Sequence, residues 1–175
     1  MKKIIFFTIF ITNLFGITQN DIYNLYQKRD YKNTCIRGVW ILNQFKHDDK
    51  YQSIVALSCV KADMLNTAIR ITKTMNHTPL GRHNASYISS LFLIKKLLLQ
   101  LVYDDIDISN LSLPKSEHPL SILFENISHH NFSKVNNTFI VETKNKKYIL
   151  SPHQTNKFII KIYENDKIVS KHIYW

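Results

Sequence analysis

The period of the hydrophobic pattern changes once along this chain, and that change restricts the fold more than any other feature. Tyr87, Leu91, Ile94, Leu98 and Leu101 recur at three- and four-residue spacing, with Ser89, Ser90, Lys95, Lys96 and Gln100 on the other side. The spacing predicts a helix from a cap at Asn84 to about Tyr103. Ile88, Phe92, Leu93, Leu97 and Leu99 make it apolar enough to suggest a membrane span, but Lys95 and Lys96 at its middle would each cost about 3 kcal/mol in a bilayer. It therefore reads as a packing helix. From Asn136 the residues alternate instead, predicting strands at Thr138 to Glu142, Lys147 to Leu150, Phe158 to Tyr163 and Ile168 to Tyr174. Lys144-Asn145-Lys146, Pro152 with Asn156, and Glu164-Asn165-Asp166 supply the turns.

The expected fold is α+β. Antiparallel helical hairpins occupy 19–104, a connector 105–135 carries a short helix opened by Pro119, and a four-stranded antiparallel meander fills 136–175. A meander of about 40 residues buries too little surface to stand alone, so its apolar face is expected to pack on the helices.

Within the helical part the chain repeats itself. Lys28 to Arg37 matches Lys61 to Arg70 with six identities in ten positions, at an offset of 33 residues. In the second copy Val55 with Ala56, Leu65, and Ala68 with Ile69 form large and small positions; Ile22, Tyr26, Cys35 and Ile36 stand in the first. On these residues the segment of about 21–75 resembles tetratricopeptide-type repeats. The resemblance implies stacked antiparallel helix pairs whose side-by-side helices form a binding surface rather than a reaction centre.

The first 18 residues have the layout of a secretory leader: Lys2 and Lys3, an apolar run from Ile4 to Ile11, then small residues Gly16 and Thr18. Export, to the periplasm or outside the cell, is the expectation. About 157 residues would remain, enough for one core. In an oxidising compartment Cys35 and Cys59 are candidates for a disulfide. They lie almost equidistant from the polar turn Lys46 to Lys50, so antiparallel flanking helices would bring them level. The net charge of +10 comes from lysines and arginines scattered along the chain, with no basic stripe interleaved with aromatics. That pattern offers weak attraction to anionic surfaces and argues against nucleic acid.

Signatures of chemistry are sparse. Gly16, Gly38 and Gly81 are the only glycines and make no phosphate-binding or cofactor spacing. His129 and His130 point apart on any regular element, and His118, His153 and His172 lack the spacing of a metal set. No Gly-x-Ser-x-Gly elbow marks a nucleophilic serine. A catalytic reading would need a carboxylate and a histidine of shifted pKa where helices meet the sheet. Val169, Ile173 and Trp175 alternate like a closing barrel strand, but Lys171 interrupts them and a barrel needs about eight strands. The function expected is thus a non-catalytic interaction module of the bacterial cell envelope. It would hold another envelope protein through Tyr23, Tyr26, Lys28, Arg37 and their neighbours, or through the exposed edge of the sheet. The alternatives are an envelope enzyme or subunit acting on wall or glycan material, and a binder of anionic ligands or membrane surfaces.

Overall fold

The structure is a computed structural model that describes residues 16–175; all but the last three residues of the expected leader lie outside them. Short polar side chains start the helices. Thr18 accepts from the Asp21 N–H while Asp21 reaches back to the Thr18 N–H, a capping box that opens α1 (Gln19–Gln27). Asp30 caps α2 (Tyr31–Trp40) and Asp48 caps α3 (Asp49–Lys61). They are followed by α4 (Leu65–Ile71), α5 (Pro79–Asp104) and α6 (Pro119–Ser128), the last two with proline at the first position.

α1 and α3 end alike. Arg29 and Asp63 both turn left-handed at φ 59°, and the next N–H reaches back five residues, Asp30 to Leu25 and Met64 to Cys59. These equivalent turns lie 34 residues apart, which corrects the offset of 33 read from the identities. One residue rotates a side chain by about 100° around a helix, so the difference matters. Thr34, not Cys35, is the buried counterpart of Ala68.

The disulfide between Cys35 and Cys59 joins α2 to α3, with Cα atoms 4.8 Å apart. Around it the two helices approach until a Cβ on Gly38 would lie 2.5 Å from a Val55 methyl carbon. The Gly38 carbonyl accepts the Tyr51 hydroxyl at 3.0 Å.

α5 starts five residues before the expected cap at Asn84, which is instead buried within the helix. Thr78 is the cap: its hydroxyl accepts from the Gly81 N–H at 3.0 Å and donates to Asp49 at 2.9 Å, and its N–H donates to the same carboxylate oxygen at 2.6 Å. Burial works against the charge on Asp49, but the Thr78 hydrogen bonds hold its carboxyl below the usual range. A Cβ on Gly81 would sit 2.1 Å from that oxygen, so glycine is what allows the starts of α3 and α5 to meet.

The sheet has five strands, not four: β1 (Ser133–Val135), β2 (Thr138–Glu142), β3 (Lys147–Pro152), β4 (Phe158–Glu164) and β5 (Lys167–Tyr174), antiparallel in chain order. β1 falls in the segment assigned to the connector. Asn136, at φ 51°, turns the chain tightly enough to pair Val135 with Thr138, and three exposed residues leave no alternation to detect. Asn165 and Asp166 both take positive φ in the β4–β5 turn, as a two-residue hairpin requires. Phe139, Val141, Tyr148, Leu150, Phe158, Ile160 and Tyr174 line the inner face and join one hydrophobic core with α1 to α6.

Replacing both Cys35 and Cys59 with alanine is expected to lower the unfolding free energy by about 3 kcal/mol, the entropy of the loop they close. Urea denaturation of the oxidised parent and the double variant checks this.

Candidate functional site at the helix–sheet junction

The strongest correction to the sequence pattern lies at Lys95. Placed by periodicity on the polar side of α5, it is 1% exposed. Its ammonium donates to the Asn66 side-chain oxygen at 2.5 Å and to the main-chain oxygen of Trp175 at 2.7 Å, and lies 4.6 Å from the Phe92 ring centre. Burial, followed by the neighbouring Lys96 charge, lowers its pKa to about 8. A cation is retained inside because α4 and the end of β5 together replace part of its hydration.

Beside it, Asp63 projects from the left-handed turn between α3 and α4. The Tyr174 hydroxyl donates to its Oδ1 at 2.5 Å, and His172 Nδ1 lies 2.9 Å from both oxygens, so that nitrogen carries the hydrogen. His172 Nε2 is in turn 2.7 Å from the Ser170 hydroxyl. β5 arranges this line because residues two apart share a strand face. Burial, and after it the Asp63 charge, push the Tyr174 hydroxyl far above its ordinary range, which keeps it a donor. A cavity of about 70 Å³ adjoins the cluster, lined by Asp63, Met64, Leu65, Lys95, Tyr174 and Trp175 among others.

His118 completes the junction from the start of α6, where its Nδ1 accepts the Leu120 N–H at 3.3 Å. Burial lowers its pKa to about 4, an effect that the Asp63 charge only partly offsets. The Asp63 charge thus acts on His118 across the junction, while the histidine that Asp63 bonds directly is His172. The signal available in the sequence was Ser170, His172 and Tyr174 at alternate positions; nothing in it pointed to Asp63, 109 residues away from His172.

The residues singled out for interaction do not form one patch. Tyr23 is half-buried, its ring centre 6.4 Å from that of Tyr51, and its hydroxyl accepts from Gln19 at 2.7 Å. Tyr26 packs edge-on to Tyr31 at 6.0 Å. Lys28 and Arg37 are exposed and share a shallow groove with Asp21, Asn24 and Leu25. Among the described residues no three His, Cys, Asp or Glu side chains are placed to share a metal.

The outer face of the β4–β5 ribbon is different in character. Val169, Ile173 and Trp175 are 51%, 37% and 54% exposed, with Lys171 among them. Lys171 stands directly opposite Lys161 on β4, and neither forms an ion pair among the described residues. Like charges directly opposite each other on a sheet are destabilising. Among the described residues β5 pairs with β4 alone, so no strand lies along its other edge.

Two titrations follow. The unfolded chain takes a proton on His118 near pH 6.5 and the folded chain only near 4, so acid favours unfolding across that window, by up to about 3 kcal/mol once below it. His118→Asn, which can still cap α6, should flatten the loss in denaturation midpoints between pH 7 and 4. For Lys95 the unfolded chain holds the proton up to about pH 10.5 and the folded chain to about 8, so stability contributed here rises with pH between these values. Lys95→Met should abolish that rise, measured by urea unfolding at pH 7.5 and 10.5.

Comparison of the chain with protein-family models, with curated proteins and with solved structures returned no match.

Proposed function

We propose that the protein is an exported interaction module that holds an extended, acidic segment of another envelope protein against β5. The observation that carries this reading is the opposed pair Lys161 and Lys171 among exposed apolar residues, beside a strand edge that no other strand lines among the described residues. A free edge offers unpaired backbone N–H and C=O groups, and the complement to those is another strand. Val169, Ile173 and Trp175 give such a strand apolar contacts. The two lysines add the charge preference, since a carboxylate placed between them relieves their repulsion. A membrane surface could answer the charge but not the backbone groups. The disulfide adds support for export, because such bonds persist in oxidising compartments. The tetratricopeptide-like hairpins serve in this reading as the rigid support on which the sheet is mounted.

The test is site-specific photo-crosslinking in the native envelope, with the photoreactive residue at Ile173 and, as control, at exposed His83. A single adduct formed from Ile173, absent from His83 and weakened at least tenfold by Lys161→Glu with Lys171→Glu, is the expected result. The same pattern on anionic lipid vesicles, with no protein adduct, would replace the protein partner by a membrane. Equal adducts from both positions would remove the assignment to β5.

A further inference from the structure

The face of β5 turned toward the helices carries a second arrangement, independent of the outer face just described. Ser170, His172 and Asp63 stand in line: hydroxyl to Nε2 at 2.7 Å, Nδ1 to carboxylate at 2.9 Å. We propose that this line is an acyl-transfer site in which Ser170 is the nucleophile, acting on carboxylic esters.

Four features of the site support the assignment. The orientation of His172 is fixed from its far side, because the ring hydrogen on Nδ1 is taken by Asp63 and leaves Nε2 as the atom facing the hydroxyl. Asp63 is itself fixed: it sits at φ 59°, a conformation costly for a residue with a Cβ, and receives the Tyr174 hydroxyl at 2.5 Å. A structural clip between sheet and helices needs the Asp63 bonds alone; it does not require a hydroxyl on the opposite nitrogen.

The site also opens outward. Along the inner face exposure rises from 1% at Tyr174 to half-buried His172 and Ser170, beyond which the bulge turns Ile168 to the other face, opposite Tyr163. The hydroxyl is therefore at the end that solvent and substrate reach. Finally, β5 is bulged at this point: Ile162 pairs with Ser170 and Tyr163 with Ile168, which leaves Val169 without a partner. Bulges re-aim side chains and recur beside active sites. This one falls at Val169, directly before the serine.

The step balances with the groups present and water. The Ser170 oxygen forms a bond to the ester carbonyl carbon as its proton passes to His172 Nε2. The bond from carbon to the leaving oxygen breaks, and that oxygen takes the proton as an alcohol. Water, deprotonated by the same nitrogen, then releases the acid and restores the hydroxyl. The cavity of about 70 Å³ beside Asp63 and Tyr174 lies at the other end of the line and has neither Ser170 nor His172 in its lining, so an ester would approach Ser170 from the solvent side. Asp63 and Tyr174 act as positioning residues.

The test uses the full chain and a fluorophosphonate, which forms a bond from phosphorus to an activated serine oxygen with loss of fluoride. Labelling located at Ser170 by peptide mass, together with hydrolysis of p-nitrophenyl acetate, is the expected result. Both should vanish in Ser170→Ala and fall at least a hundredfold in His172→Gln. Asp63→Asn, which presents an amide N–H to Nδ1, should lower kcat by a similar factor with KM little changed. Ser170→Ala leaves Lys161 and Lys171 in place and should keep the crosslink from Ile173, so this site and the binding surface fail separately. An unlabelled Ser170 in protein that retains its folded circular dichroism would overturn the proposal, as would hydrolysis that survives Ser170→Ala. Should His172→Gln unfold, the parent and Ser170→Ala still decide.

Discussion

The Asp63 carboxylate is the joint on which the two halves of the molecule depend. It leaves the helical part at the end of α3 and accepts from two residues of the final strand, His172 and Tyr174. A sheet could slide over a purely apolar helix surface at little cost, since hydrophobic attraction has no direction. Hydrogen bonds to a carboxylate do have direction and are stronger than neutral ones. With Lys95 tied to Asn66 and to the main chain of Trp175, they set the rotation and height of β5 against α4 and α5.

The matching segments Lys28 to Arg37 and Lys61 to Arg70 use the same residues differently at this joint. In the first hairpin the acidic residue after the turn, Asp30, caps its own helix and bonds to Asn33 three residues on. In the second, the identical residues Asp63 and Asn66 are released from each other. One turns to the sheet and the other to Lys95. The structural reason is the one-residue difference between sequence match and structural register: Asp30 is the cap of α2, whereas the cap of α4 is Met64, which has no side-chain oxygen to offer. Asp63 occupies the turn position of Arg29 and points elsewhere. Residues that bond locally in the first segment thereby make long-range contacts in the second.

The same strand then faces two ways. Its inner face carries Ser170, His172 and Tyr174 and belongs to the interior; its outer face carries Val169, Lys171, Ile173 and Trp175 and faces solvent. Alternation along one strand lets two faces of different chemistry lie back to back, with Trp175 at the strand's end also lining the cavity beside Asp63. The bulge at Val169 is the only break in that alternation, and it lies where the two meet.

What the sequence determined by itself is what local physics determines. Period 3.6 and period 2, the proline opening α6 and the polar turns gave the α+β order and four of the five strands, but not the start of α5 at Pro79. The symmetric placement of Cys35 and Cys59 about one turn made their contact legible as well, because an antiparallel hairpin equates sequence distance with height. Lys95 shows where that reasoning stops. Its position on α5 is polar by composition, and only the packing of α4 and Trp175 against that side made it interior. Asp63 and His172 stop it in the same way: each is an ordinary polar residue among its neighbours, and their meeting depends on closure of the whole core. Side-chain chemistry brought together over a hundred residues leaves no period to read, so the tertiary structure alone decided it.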